Sequence, residues 1–226
     1  MFWPLFLAHL LADYPLQSDW MVQAKKTWPG LATHVAVHLA TMLIVLNGFL
    51  RFEWHATLPA ILAVAVLHFA IDTWKNILAR RWPQWIIGGY LQDQALHVIS
   101  LLLVAYWQAR TSSGAPFAIA TPWLLYVCGF ILVTHAWFVT ERVLAYRDKV
   151  YQQWVSAYLW PRMTGRALLF SILLAGWNLW GLLALIVALT LYWCELTNLG
   201  RRHPLLIDSG VVLMVSTLTQ WVLIRT

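Results

Sequence analysis

The sequence predicts an all-α protein, a polytopic integral membrane helical bundle of six to seven hydrophobic segments. Three observations indicate this class: 61% of the 226 residues are hydrophobic, only 11% are charged, and the mean hydropathy is +0.67. Soluble domains are about half apolar and about a quarter charged, so a soluble globular fold is excluded. A membrane helix uses roughly 20 residues, which leaves no room for a sizeable domain outside the membrane.

Apolar runs separated by Pro, Gly and basic residues predict the individual segments. They cover about residues 2–14, 30–50, 58–80, 86–108, 116–140, 165–194 and 204–224. The first run reaches only about 20 Å at 1.5 Å per residue, and Pro4 and Pro15 stand near its ends. It is therefore expected to be half-inserted or re-entrant. The 165–194 run is longer than one crossing needs, so a tilted helix is expected there.

Basic residues are distributed unequally between the predicted loops. The odd-numbered loops and the C-terminus carry Lys25, Lys26, Lys75, Arg80, Arg81, Arg142, Arg147, Lys149, Arg162, Arg166 and Arg225. The even-numbered loops carry Arg51, Arg110, Arg201 and Arg202. The positive-inside tendency then places the odd loops in the cytoplasm. These loops also explain the net charge of +6, and no nucleic-acid-binding motif is present, so no nucleic-acid partner is predicted.

Polarity divides the chain at the stretch ARTSSGAP, residues 109–116. Residues 1–110 are predicted to form a four-segment membrane bundle rich in His and Asp, and residues 111–226 an apolar three-helix membrane region. The second region suits a surface that faces lipid or a membrane protein partner. Cys128 and Cys194 lie in apolar stretches without the spacing of metal ligands, so they are expected to be spectators.

Each of the first four segments contains one pair of potential metal ligands at the same spacing. The pairs are His9 and Asp13, His34 and His38, His68 and Asp72, and Asp93 and His97. A spacing of i,i+4 places two side chains on one helix face, about 5–6 Å apart. Two His at this spacing hold a single metal ion in helical metalloproteases. Each segment therefore offers two ligands to a shared site.

The membrane environment favours a functional interpretation of these pairs. Ionisable side chains are costly in a bilayer unless they are partnered. Lys75 lies three residues after Asp72, close enough to pair with it, but one lysine cannot neutralise three aspartates. By topology the four pairs fall at one depth in the cytoplasmic leaflet. Eight ligands at one level predict a site for two divalent ions, and imidazole and carboxylate ligands suit zinc, iron or manganese alike.

Three functions are compatible with such a site. Metal-activated water could hydrolyse a lipid-like or phosphorylated amphiphile, with Asp13, Asp72 or Asp93 also serving as the catalytic base. A di-iron or haem centre would instead make the chain a membrane redox protein, although haem leaves the aspartates unexplained. The pairs could also carry protons or ions in a non-enzymatic membrane subunit. The HExxH motif is absent, which argues against peptide hydrolysis by the familiar helical zinc site.

Polar residues outside the four pairs are predicted either to hydrogen-bond to the ligands or to have no part in the site. His55 is expected to be solvated, and His135 to pack among apolar residues. Glu141 is interpreted as a charge at the membrane edge. Asp208 is left out because its i,i+5 spacing from His203 does not place both on one helix face. Candidates for hydrogen bonds to the ligands are Gln17, Asp19, Lys75, Asn76 and Gln94.

The pairs lie in four stretches, in the order HLLADYPLQSDWMVQAKK, HVAVH, LHFAIDTWK and LQDQALHVISL. In this order they resemble the bacterial inner-membrane family catalogued as domain of unknown function 3307, over about residues 6–105. The resemblance implies an inner-membrane location and the His/Asp pattern, and no reaction, because the family has no settled activity. In its pattern of paired His and Asp, the chain is also similar to membrane-bound metal-dependent hydrolases.

Overall fold

The structure, a computed structural model, describes residues 1–111, 121–175 and 203–225. All regular secondary structure in these ranges is helical, which confirms the predicted all-α class. Helices α1 to α10 are Phe2–Asp13, Asp19–Ala24, Trp28–Leu43, Trp54–Arg81, Ile86–Thr111, Pro122–Ile131, Trp137–Leu144, Lys149–Ala157, Leu159–Leu174 and His203–Arg225. A π-helical stretch, Ile44–Phe49, continues α3, and another, Leu132–Ala136, joins α6 to α7.

Five helical stretches of the described chain are long and apolar enough to cross a membrane. They are Trp28–Phe49, Thr57–Arg81, Ile86–Thr111, Pro122–Leu144 and Leu206–Arg225. These stretches match five of the predicted segments, with ends that differ by a few residues. Most of the predicted 165–194 segment lies outside the described residues. Its described beginning belongs to α9, which starts earlier than predicted, at Leu159.

Helix α1 is the short first segment that the sequence predicts. Its 12 residues reach about 18 Å, less than the roughly 30 Å of a hydrocarbon core. Nine of the 12 are buried, because the helix packs against α3 and α5 and its one polar face, with His9 and Asp13, turns into the bundle. Helix α1 is therefore an internal element of the bundle.

The chain divides into two compact units, Met1–Leu124 and Leu125–Thr226. In the first unit α1 packs against α3 and α5, and α4 packs against the same two helices. These contacts close a four-helix ring in the order α1, α3, α4, α5. The inward faces of all four helices therefore meet in its interior.

A tight corner between α2 and α3 lies at one end of this ring. Thr27 caps α3, because its hydroxyl oxygen accepts a hydrogen bond from the Gly30 N–H at 3.4 Å. Glycine is required there, since a Cβ would lie 2.0 Å from the carbonyl oxygen of Ala24. The amide of Asn76 on α4 donates to the carbonyl oxygen of Lys25 at 2.8 Å. The corner is thus held against the end of α4.

In the second unit, α9 packs against α10 and against the π-helical stretch Leu132–Ala136. Its buried apolar core consists of Val133, Leu169, Phe170, Leu173, Val212 and Val215. Gly129 lets the Phe170 ring approach, since a Cβ there would lie 2.4 Å from the ring. The loop after α7 contains the short helix α8, which the sequence pattern did not predict. Asp148 caps it by accepting from the Tyr151 N–H at 2.8 Å.

Candidate metal centre

The four helices of the ring bring all eight predicted ligands into one buried cluster. We call it the His/Asp cluster, and it consists of His9, Asp13, His34, His38, His68, Asp72, Asp93 and His97. None of these residues is more than 6% exposed. The i,i+4 spacing places both members of a pair on one face of their helix, and closure of the ring makes the four faces meet.

Asp13 lies at the centre of one half of the cluster. Its Oδ1 is 3.2 Å from the Nε2 atoms of both His34 and His38. Its Oδ2 is 3.3 Å from Nε2 of His9. The Nε2 atoms of His34 and His68 are 3.1 Å apart. Side chains from α1, α3 and α4 therefore meet around a single carboxylate.

Asp72 connects this half to the residues of α5. Its Oδ2 lies 3.4 Å from Nε2 of His34 and 3.6 Å from Nε2 of His68. Its Oδ1 lies 3.6 Å from Nε2 of His97, and that nitrogen is 3.4 Å from Oδ1 of Asp93. In all these contacts the histidines present Nε2, so five imidazole nitrogens point toward three carboxylates.

The distances between these atoms fit metal coordination. Atoms bound about 2.1 Å from a tetrahedral ion lie about 3.4 Å from one another, and the contacts above range from 3.1 to 3.6 Å. Three groups have ligand atoms within 4.8 Å of one another: Asp13, His34, His38 and His68; His9, His68 and His97; and Asp72, Asp93 and His97. The buried His and Asp residues could therefore hold a metal ion.

Some buried atoms of the cluster have no hydrogen-bond partner in the described part of the chain. They are Nδ1 of His34, Nδ1 of His38, Oδ2 of Asp72 and Oδ1 of Asp93. Buried polar atoms are nearly always paired, and an exception needs an explanation such as an ion or a water molecule. The two carboxylate oxygens are the kind of atom that a cation satisfies, and this supports the fit of the donor set.

Two lysines contact the carboxylates of the cluster. Nζ of Lys75 lies 2.6 Å from Oδ2 of Asp93, and Nζ of Lys25 lies 3.7 Å from Oδ2 of Asp72. Lys75, which the sequence places close enough to Asp72 to pair, makes its short contact with Asp93 on α5. Lys25 was missed as a neighbour of the site. Its contact depends on how the α2–α3 corner folds against α4, which no local spacing indicates.

Gln94 links the cluster to a tyrosine. Its Nε2 donates to Oδ2 of Asp93 at 3.1 Å, and its Oε1 accepts from the Tyr14 hydroxyl at 2.7 Å. Burial raises the pKa of Tyr14 above its ordinary value, so the phenol stays protonated and donates. Gln17 instead donates to the backbone carbonyl of Asp13 at 2.9 Å. Gln94 is thus the neighbouring amide that contacts a ligand carboxylate directly.

The second unit holds a buried network of charges, which we call the arginine network: Glu141, Arg162, Arg166 and Asp208. No member is more than 4% exposed. Arg162 donates from Nε and Nη2 to Asp208 at 2.9 and 2.7 Å, and its Nη1 lies 2.9 Å from Oε2 of Glu141. Arg166 donates from Nη1 to Oδ1 of Asp208 at 3.0 Å. Two guanidinium groups balance two carboxylates, so the network needs no metal ion for neutrality.

The arginine network corrects two interpretations of the sequence. Glu141 is not a charge at the membrane edge, because it is buried against Arg162. Arg162 and Arg166 are not loop residues, because they are buried in α9. Glu141 also accepts from the Tyr151 hydroxyl at 2.6 Å. Burial and this hydrogen bond raise the pKa of Tyr151, which keeps its proton available for Glu141.

His55 and His135 are not members of the His/Asp cluster. The His55 side chain is 85% exposed beside Glu53, as predicted. His135 lies in the π-helical stretch of the second unit, where its Nδ1 is 3.1 Å from the Thr134 hydroxyl oxygen. Cys128 is a buried free thiol, and Cys194 lies outside the described residues. These histidines supply matched controls for tests of the cluster.

In its described residues the chain is all-α, with five helical stretches long and apolar enough to cross a membrane and with buried His and Asp groups able to hold a metal ion. A family model described as "Protein of unknown function (DUF3307)" matches residues 1–126. The chain belongs to this family, as the resemblance in the sequence predicted. No curated protein and no solved structure was found to match the chain. The matched residues include the whole His/Asp cluster and exclude the arginine network.

Proposed function

We propose that this protein is a metal-dependent hydrolase of the bacterial inner membrane, acting on a lipid-like or phosphorylated amphiphile. The observation that carries the proposal is the convergence of five Nε2 atoms and three carboxylates in one buried cluster. Two divalent ions, of zinc, iron or manganese, would use all eight donors. The donors form three overlapping ligand groups, and His68 and His97 each belong to two of them, so either histidine could serve one ion or the other.

A bound divalent ion lowers the pKa of water to about 7 and stabilises charge on an attacking or leaving oxygen. The residues of this chain would bind the ions, exclude bulk water and accept the proton that the attacking water loses. Burial of all eight side chains keeps the local dielectric low, which strengthens each electrostatic contact. Asp13, Asp72 and Asp93 are the carboxylates placed to accept the proton that water loses.

The surface near the cluster supports an amphiphilic substrate. Leu16, Trp20 and Trp28 lie around helix α2 and are 54%, 66% and 68% exposed. Amphipathic aromatic rings settle at the headgroup level of a bilayer. Because Lys25 directly follows α2 and contacts Asp72, this apolar surface and the cluster lie at the same end of the first unit.

The location in the inner membrane is supported by the positions of the basic loops. Nη2 of Arg80 donates to the carbonyl oxygen of Lys26 at 3.3 Å. The loop after α2 and the end of α4 therefore lie on the same side of the first unit. Both carry clustered lysine and arginine, which the positive-inside tendency assigns to the cytoplasm.

Chelation tests the proposed activity directly. Purified protein would be assayed against short-chain alkyl carboxylic esters and alkyl phosphate esters presented in detergent micelles. We expect hydrolysis of one class, its loss after treatment with a chelator, and its return on adding back the metal first bound. Hydrolysis that continues after the metal is removed, or no hydrolysis of either class by metal-loaded protein, would contradict the proposal.

A further inference from the structure

Two lysines, Lys25 and Lys75, contact carboxylates of the proposed metal site and have no role in it so far. Their side chains are 14% and 31% exposed, whereas the side chains of the eight cluster residues are at most 7% exposed. Their ammonium groups contact Asp72 and Asp93, which share one ligand group with His97. Both lysines therefore contact the same ligand group and are more exposed than its members, and we call this part of the site the edge of the cluster.

The charges at this edge favour an anionic ligand. With neutral imidazoles, the three carboxylates of the cluster and the two ammonium groups leave a net charge of −1. One divalent ion would change this to +1, and two would change it to +3. Uncompensated buried charge is costly, and the metal would compete with the lysines for the carboxylate oxygens. An anion that contacts both ammonium groups would restore the balance.

We propose that Lys25 and Lys75 bind the phosphate group of an amphiphile whose head enters the edge of the His/Asp cluster. The inference rests on the proposed hydrolase and narrows its substrates to those that carry a phosphate. A phosphate dianion compensates the positive charge better than a carboxylate does, and its oxygens can accept from two ammonium groups. Lysine is an established phosphate ligand that acts as a point charge.

The surrounding surface favours a lipid headgroup over a free phosphate ion. The exposed rings of Trp20 and Trp28 flank Lys25 in sequence, at the two ends of the α2–α3 corner. Such rings offer an apolar surface at headgroup depth. Lys25 therefore belongs to a corner of the chain that carries two exposed aromatic rings, on which an acyl chain can rest.

Lys26 provides a matched control next to Lys25. It is exposed, and its Nζ donates to Oε1 of Gln23 at 2.6 Å. Lys26 and Arg80 line a separate groove of about 150 Å³, which lies between the start of α3 and the end of α4. Phosphate binding at the groove would depend on Lys26, whereas binding at the cluster edge depends on Lys25 and Lys75.

Calorimetric titration of the full chain in detergent tests the proposal, with metal content measured on each sample. The probes are inorganic phosphate, dihexanoyl phosphatidate and dihexanoyl phosphatidylcholine. We expect phosphatidate to bind more tightly than inorganic phosphate and phosphatidylcholine. We expect Lys25→Met and Lys75→Met each to lower phosphatidate affinity about tenfold, as the loss of one charge-assisted hydrogen bond predicts. Lys26→Met should leave affinity unchanged, and Lys75→Arg, which keeps the charge, should retain binding.

Several results would overturn the inference. They are absence of phosphatidate binding, equal affinity in Lys25→Met, Lys75→Met and Lys26→Met, and tighter binding of inorganic phosphate than of phosphatidate. Loss of metal in the lysine variants would also overturn it, because the lysines would then act on the metal ligands. If the wild-type protein binds no metal, the proposed hydrolase fails by itself. Lysine-dependent binding of phosphatidate would in that case still support the anion site.

Discussion

Replacing His34 with alanine is expected to remove most of the metal that the wild-type protein retains on purification, with affinity lowered by at least about 100-fold. Its Nε2 contacts Asp13, His68 and Asp72 at 3.1 to 3.4 Å, and the residue is fully buried. Among the contacts described above, His34 is the imidazole that contacts both the α1 carboxylate, Asp13, and the α4 carboxylate, Asp72. Elemental analysis of the variant after gel filtration measures the loss.

Asp93→Asn extends the test to the other half of the cluster, since it replaces a ligand oxygen with an amide of the same shape. We expect it to lower metal content as well. His135→Ala is the control, because His135 lies in the second unit and contacts Thr134. Equal metal content in His34→Ala, Asp93→Asn and His135→Ala would contradict the assignment of the metal ligands.

Asp208→Ala is expected to lower the free energy of unfolding by about 3–5 kcal/mol, the usual effect of removing one partner from a buried ion pair. Asp208 is fully buried and accepts hydrogen bonds from both arginines of the network. In the variant Arg162 retains Glu141, whereas the structure describes no other carboxylate contact for Arg166. Thermal unfolding in detergent, followed by circular dichroism, would show this loss as a lower midpoint.

Thr217→Ala on the same helix is the matched control, because its exposed hydroxyl donates to the Leu213 carbonyl within α10. Its midpoint should stay close to that of the wild type. Combining Asp208→Ala with Arg166→Met should recover part of the stability, since the uncompensated guanidinium is then gone. A midpoint for Asp208→Ala equal to that of Thr217→Ala would show that the arginine network contributes little to stability.

The His/Asp cluster could be predicted from the sequence because its information is local. Each pair repeats one helical spacing within its own segment, and buried charge in a membrane segment is unusual enough to be noticed. The network around Asp208 could not be predicted in this way. Arg162 and Asp208 are 46 positions apart, and each taken alone resembles an ordinary charge at a segment end. The same reason explains why Lys25 was missed.

The fold shows a similar division between local and non-local information. Long apolar runs predicted the membrane-crossing helices, because twenty apolar residues in succession have few alternatives to a spanning helix. Helix α8 was not predicted, since its nine residues include four polar ones, too many for an apolar run, and its start depends on the cap at Asp148. The closed ring of α1, α3, α4 and α5 follows from packing, which the order of segments along the chain does not specify.

Metal binding by the His/Asp cluster is what the proposed hydrolysis requires above all. Its most direct test is elemental analysis of full-length protein without a histidine tag, purified in detergent without chelators, with an optical spectrum of the same sample. We predict close to two zinc or manganese ions per chain, or two colourless ferrous ions, and no visible absorption band. Iron with a visible band would indicate redox chemistry instead. Protein that binds no metal, even after zinc, iron or manganese is added back, would contradict the account.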